Sequence, residues 1–523
     1  MSERGRAIVV LTMNTFAFTV CFACWMMNGV LATFLVDNGV FRWNTVEIGW
    51  LIGIPVLTGS ITRLPVGVLT DRYGGRVVYA LLMLLSAIPL WLVSYAGGYG
   101  SFFLASLGFG LTGASFAVGI AYTSVWFAKK HQGTALGIFG AGNAGAAVTS
   151  MGAPYLLRWL TSGEAGLEGW RNLPRIYAGA LVATAVLFFL LTHSRKVEGA
   201  QGKTLAERLA PLKELRVWRF GLYYFFVFGG FVALAQWLIP YYLNVYSVTL
   251  ATAGLLAAIF SLPSGVIRAL GGWMSDRMGA RVVMYWVLGS SVLCCALLVV
   301  PRMDIQSPGR GIMASAPGRV TSVAPGAVTI GSQSYALERP PANPTNFDND
   351  PDVLVWPHFE FWQEPVVKEG EQVQRKELIA RGVTHIYFQA NIWVFTALVF
   401  ILGIAMGIGK AAVYKHIPDY FPRDVGVVGG IVGVLGGLGG FVCPIVFGYL
   451  LRWTGIWTTC WMFFLGVTVA CFVWMHAVVR RIMKDRAPEL LRQIEHGSAR
   501  EGPSPQSSPA HPEPRTAVGG GAR

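Results

Sequence analysis

Arg63-Leu-Pro-Val-Gly-Val-Leu-Thr-Asp71-Arg72-Tyr-Gly-Gly-Arg76 and Arg268-Ala-Leu-Gly-Gly-Trp-Met-Ser-Asp276-Arg277-Met-Gly-Ala-Arg281 are two copies of one pattern, and they decide the fold. In each copy an arginine inside an apolar segment precedes by eight residues the aspartate that opens a polar loop. Eight helical residues rise roughly 12 Å, which places each arginine near the middle of a hydrocarbon layer about 30 Å thick. Ionisable residues at that depth are costly, face a polar cavity and mark a substrate path. Two of them at equivalent places in a repeat predict one central site, and its natural guest is an anion.

Working outward, 54% of the 523 residues are hydrophobic and 13% are charged, the composition of an integral membrane protein. Apolar stretches long enough to span lie near 7–36, 46–70, 77–96, 100–128, 133–160, 174–193, 218–244, 250–275, 282–301, 389–415, 424–452 and 456–480, which makes twelve helices. The net charge of +14 is not the signature of a nucleic-acid partner. Lys129, Lys130, the basic run from Arg195 to Arg219, Arg277, Arg281, Lys415, Arg423 and the cluster from Arg480 to Arg486 all fall on one side if helices alternate. The positive-inside rule makes that side the cytoplasm and puts both termini there. The first apolar run is too long for a cleavable signal and reads as the first span. All seven cysteines lie in predicted spans, and Cys21-Phe-Ala-Cys24 reads as packing because its setting is apolar and lacks partner ligands.

The repeat divides the chain into an N-terminal six-helix half (1–193), a basic cytoplasmic linker (194–217) and a C-terminal six-helix half (218–480), followed by a largely disordered cytoplasmic tail (481–523). Parallel halves with substrate bound midway between them are the major facilitator arrangement. The motif Gly67-x-x-x-Asp71-Arg72-x-Gly74-Gly75-Arg76 and its copy after span eight resemble that superfamily's loop signature. Asp71, Arg72, Asp276 and Arg277 can latch one conformation by charge pairing or at a helix N-terminus; the plainer reading is that they only set topology. Residues 302–385 interrupt the second half with ten acidic and eight basic residues, a balance that suits the periplasmic side. Alternation at 318–323 and 327–330 predicts short strands, and Val367 to Ala380 looks like a hairpin of a small β-barrel. His358 and Glu360 lack further ligands at usable spacing and read as a surface pair.

Span five carries Gly137-Ile-Phe-Gly140-Ala-Gly142-Asn143-Ala-Gly145, and span eleven carries Gly429-Gly430-Ile-Val-Gly433-Val-Leu-Gly436-Gly437-Leu-Gly439-Gly440. Small residues at this spacing let helices approach and slide. Asn143 stands out as an amide able to donate to a ligand. The two runs, with the arginine before each loop motif, resemble the signature motifs of the NarK-like nitrate/nitrite porters of the major facilitator superfamily. The resemblance covers the chain apart from the insert and the tail. It implies an anion held between Arg63 and Arg268, sandwiched by Phe116 and Phe228, with Tyr224 and Asn143 as further polar contacts, and it gives Gly140, Gly142, Gly145, Gly433, Gly436, Gly437 and Gly440 to the moving helices. The insert and Lys410, where the family commonly has a small polar residue, depart from the pattern. Guanidinium groups suit a planar, delocalised anion because their forked donors match its oxygens.

The resulting expectation is an all-α membrane protein with a small β-rich periplasmic insert, monomeric, in a bacterial inner membrane. It carries nitrate and nitrite for nitrate assimilation by alternating access, without a cofactor or a metal. Entry of an anion against a negative-inside potential costs about 2.3 kcal/mol per 100 mV, so uptake must be coupled. The resemblance favours proton symport. The absence of a deep acidic residue and the two unneutralised arginines favour nitrate/nitrite exchange. Two further readings are a carrier of another small anion and an anion-sensing receptor built around the insert. No nucleophile–base pair or metal cluster supports an enzyme.

Overall fold

Both quoted stretches fold alike in the computed structural model, which describes residues 2–164, 166–195, 210–300, 303–342, 357–388, 391–421 and 425–497. The helix Thr45–Ile61 stops and restarts as Arg63–Tyr73, and Leu250–Val266 restarts as Arg268–Met278 with a bend of 45°. Pro65 causes the first break, because its ring crowds the carbonyl of Ile61 and supplies no N–H. Each arginine is thus the first residue after a break. Both second helices end on a glycine in the same unusual conformation, Gly74 at φ 87°, ψ 148° and Gly279 at φ 85°, ψ 137°. The repeat in sequence is a repeat in backbone.

Ten described helices are long and apolar enough to cross a membrane, or eleven if the bent pair is one span. The remaining predicted span, 133–160, is built as Lys129–Gly140, the 3-10 turn Ala141–Ala144 and Gly145–Thr161, a broken and glycine-rich crossing that hydropathy reads weakly. The last helix runs Thr459–Gly497, beyond the span read from hydropathy, since the stretch after Arg480 is rich in Arg, Lys, Glu and Leu, which favour helix. Residues from Val473 onward form a compact unit of their own. Of the predicted tail, 498–523 lies outside the described residues, as does 196–209 of the linker.

Halves meet unequally at the two ends of the bundle. At the end that bears the insert, Gly254 abuts the Ser150 carbonyl, Gly49 the Pro444 carbonyl and Gly448 the Thr45 carbonyl, with no room for a side chain. At the end that bears the loop motifs the corresponding helices stand further apart. A Cβ at Gly137 would find its nearest neighbour, Ala269, at 3.6 Å, and one at Gly430 would find Leu64 at 3.9 Å. The bundle is closed towards the insert and looser towards the motifs.

The insert is a β-structure with its own core. Strands β1 (Met303–Met313), β5 (His358–Pro365) and β7 (Leu378–Phe388) form an antiparallel sheet in the order β1-β7-β5; β2 (Gly318–Ala324), β3 (Ala327–Ile330), β4 (Gln333–Ala336) and β6 (Gln372–Val373) form a second in the order β4-β3-β2-β6. Val320, Val328, Ile330, Val373 and Ile379 pack between them. The expected strands at 318–323 and 327–330 are present. The hairpin expected over Val367 to Ala380 is not formed as read: β6 pairs with β2, while β7 pairs with β1 and β5. Two tight turns, in which Glu371 accepts from the Lys368 N–H at 2.8 Å and Glu377 from the Gln374 N–H at 2.6 Å, split the segment between the two sheets. His358 and Glu360 are neighbours at 3.4 Å on β5, and the described residues contain no group of three possible metal ligands.

Because Gly74 and Gly279 hold a conformation that L-residues avoid, Gly74→Ala and Gly279→Ala should each destabilise the protein by roughly 1–3 kcal/mol. Gly67→Ala and Gly272→Ala, at helical positions with nothing within 4 Å of the added methyl, should be neutral or stabilising by up to about 1 kcal/mol. Thermal unfolding in detergent micelles checks the contrast.

Candidate functional site

Helical irregularities converge on one depth of the bundle. Arg63 and Arg268 follow helix breaks, Phe116 follows the 3-10 turn Gly110–Ala114, Asn143 lies in the turn Ala141–Ala144, and Phe228 lies in the π-helical turn Phe225–Gly230. A wide or tight turn re-aims side chains and frees backbone groups, which is why π-bulges gather at functional sites. Here glycines supply the local weakness in the helix: Gly110 and Gly113, Gly140 and Gly142, Gly229 and Gly230.

Both arginines flank one ring. The guanidinium carbon of Arg63 stands 5.3 Å from the centre of Phe116, and that of Arg268 stands 5.3 Å from the same centre. Arg63 also faces Phe228 at 5.2 Å and Trp25 at 5.9 Å, while Arg268 faces Tyr414 at 5.6 Å. Phe116 and Phe228 lie 6.2 Å apart with ring planes 24° from parallel. Each cation–π contact contributes about 0.5–2 kcal/mol, which offsets part of the desolvation of a charge without neutralising it.

Arg63 is buried, at 5% exposure, and donates from Nη1 to the Gly433 carbonyl at 2.7 Å; its Nε and Nη2 have no partner, nor has Nη1 of Arg268. No described carboxylate bridges the pair. Buried donors left unmatched cost about 1–3 kcal/mol each, more when charged, and the pair offers both unmet donors and positive charge. The Tyr224 hydroxyl is likewise buried and unmatched, with its ring stacked on Phe228 at 5.0 Å. Asn143 donates one amide N–H to the Gly140 carbonyl at 2.9 Å, and its Oδ1 has no partner, leaving the acceptor and the second N–H available.

Several signature glycines are moulds for site side chains. Gly436 lies against the Tyr224 ring, Gly433 faces the Tyr414 hydroxyl and Arg63, Gly437 faces Ser60 and Arg63, and Gly140 lies beside the Arg268 stem. Gly142, Gly145 and Gly440 instead admit Phe18, the Thr19 carbonyl and Val232. Of the motif residues, Asp276 pairs with Lys415 inside its own half, Arg277 and Arg72 lie over Trp273 and Tyr73 of their own helices, and Asp71 is half-buried at its helix end. Sequence reasoning missed Trp25, whose indole N–H holds the Pro55 carbonyl at 2.9 Å, and Tyr414, whose hydroxyl donates to the Gly429 carbonyl at 3.0 Å. Tyr414 lies four residues beyond Lys410, one helical turn along the same face, a spacing that could have found it.

Comparison with known proteins agrees with this architecture. The profile of the Major Facilitator Superfamily matches residues 14–346 and 378–515. The probable nitrate/nitrite antiporter NarK1 of Thermus thermophilus is 38% identical over 94% of this chain and 96% of its own length. The nitrite extrusion protein of Bacillus subtilis is 24% identical over 90% and 95%. Among solved structures, the inward-facing bacterial homologue of the lysosomal transporter Spinster shares the fold with a TM-score of 0.59 at 16% identity, covering 92% of this chain and 98% of that one. With a family profile over most of its length and a relative matched nearly end to end, the chain belongs to the Major Facilitator Superfamily and, within it, to the NarK-like nitrate/nitrite porters.

Proposed function

We propose that this protein carries nitrate and nitrite across a bacterial inner membrane by alternating access, binding the anion between Arg63 and Arg268 beside Phe116. The observation that carries the reading is the pair of guanidinium groups at equal distance from one aromatic ring, with buried N–H groups unmatched and no described carboxylate between them. A flat monoanion can take the forked donors in its plane while Phe116 and Phe228 cover its faces. Tyr224 adds a hydroxyl donor, and Asn143 lines the site from the glycine-rich turn.

The basic motif end is cytoplasmic in this reading, with both termini, and the insert is periplasmic. The N-terminal half is then 1–193 and the C-terminal half 218–480. Closure at the insert end corresponds to the state that exchanges anion with the cytoplasm. Asp276 paired with Lys415 stiffens the cytoplasmic end of the second half, and Asp71 is the corresponding acid of the first. The carrier works as a monomer, since both arginines come from one chain. Uptake against the membrane potential is coupled to protons. Nitrate/nitrite exchange is the second reading, favoured by the unneutralised arginines and by the printed name of the Thermus relative.

Arg63→Lys and Arg268→Lys each keep the charge but lose the fork, and each should lower nitrate uptake by about tenfold or more in proteoliposomes. Wild-type rates from either variant would refute the paired-arginine site. Topology has its own check: a cysteine at Ser334, exposed on β4, should react with an impermeant maleimide in whole cells. Labelling only after permeabilisation would invert the orientation.

A further inference from the structure

Lys410 is a buried cation, as Arg63 and Arg219 are, and the anion site just described does not use it. It lies in the middle of the helix Ile392–Tyr420, not in a turn, and is 0% exposed. Its ammonium donates to the Ser264 hydroxyl at 3.1 Å and to the Ser264 carbonyl at 3.4 Å, and stands 3.1 Å above the centre of the Phe231 ring. Hydroxyl, carbonyl and aromatic face account for its three donors, and all three are neutral. No described carboxylate neutralises it.

The charged and titratable surroundings are few. Leu250–Val266, which supplies Ser264, contains no ionisable residue. Arg268–Met278 brings Arg268, whose charge acts on Lys410. Its own helix adds Tyr414 one turn away, and beyond it lies Tyr224. Ala280–Leu298 sets Val287 against Gly409, and its Tyr285 turns to Phe472. Phe231–Tyr246 presents the uncharged Phe231 ring. In the membrane-crossing segments the described acids lie at helix ends, as Asp71 and Asp276 do.

Resting on the transport reading above, we infer that Lys410 is the proton-carrying group of this transporter, taking up one proton when the anion binds beside Arg268 and giving it up when the anion leaves. Three observations point there. Arginine keeps its proton under all conditions, so of Arg63, Arg268 and Lys410 only the lysine can change charge. Ser264, which holds Lys410, lies four residues before Arg268, so an anion held on Arg268 adds negative charge near the Lys410 nitrogen and its departure removes it. Ser264 fits both forms, accepting from the ammonium through Oγ and donating its O–H to the amine nitrogen. The step balances: hydronium at the open side gives a proton to the Lys410 amine as nitrate enters, its O–H bond breaking as the N–H bond forms, and after the halves rock the N–H bond breaks and the proton passes to water on the other side as nitrate departs. One proton then accompanies one anion, and the membrane potential no longer opposes uptake. The device also explains how an empty carrier turns over with two arginines facing each other, since Lys410 withdraws its charge.

The test uses the full chain in proteoliposomes with a pH dye trapped inside. In the wild type, external nitrate with no internal anion should acidify the lumen, and preloaded nitrate should exchange with labelled nitrate. Lys410→Arg retains a fixed charge, and Lys410→Gln fixes neutrality. At least one should keep exchange within about tenfold of wild type while losing luminal acidification, because exchange needs binding and rocking but no proton release. Acidification that persists in both variants overturns the inference. So does loss of exchange in both, which would make Lys410 structural. A wild type that exchanges nitrate without moving protons also overturns it and leaves a nitrate/nitrite exchanger. A wild type that neither exchanges nor takes up nitrate refutes the transport reading itself.

Discussion

Two guanidinium groups with no counter-ion among the described residues, held at the centre of an apolar bundle, are the constraint from which the rest of the architecture follows. A buried charge is tolerated only when partners surround it, and here those partners are aromatic faces and a backbone carbonyl instead of carboxylates. A carboxylate would neutralise the pair and compete with a substrate anion. Aromatic rings lower the cost of burial and leave the N–H donors free. Helical regularity is lost around them: both arginines follow breaks, and Phe116, Asn143 and Phe228 lie in or directly after tight or wide turns, while Gly433 and Tyr414 come from unbroken helices.

Glycine serves two separate purposes in this bundle. At the insert end it lets the halves meet backbone to backbone, as at Gly49 and Gly254. At the centre it makes room for particular side chains, as Gly436 does for Tyr224 and Gly437 for Ser60 and Arg63. Contacts made through backbone have few side-chain rotamers to reorder when they form or part, so a rocking motion can trade one closed end for the other at small cost.

The insert stands apart from this logic. Its core of Val320, Val328, Ile330 and Ile379 belongs to itself, and β1 and β7, which pair from Met303 to Phe388, bring the two chain crossings together next to the helices they join. A closed antiparallel pair at the root lets a domain be inserted between two spans without separating them. That arrangement fits the general tolerance of loops for insertions.

Much of the molecule was legible in the sequence because membrane burial imposes long apolar runs, and because a duplicated motif repeats the same backbone requirement. The apolar spans and the repeat that carries the two arginines follow from local pattern alone. The broken crossing at 133–160 was legible only as a weak apolar run, since its glycines carry packing and not hydropathy. Tertiary structure alone decided the rest. It put Arg63 and Arg268 on one ring, made Gly433, Gly436 and Gly437 moulds for site residues, turned the Asn143 amide onto Gly140, and brought Tyr414 and Lys410 to the same centre. It also sent the two arms of Val367 to Ala380 into different sheets. These depend on which helix or strand faces which across the fold, and contacts between residues hundreds of positions apart leave no periodicity in a single chain.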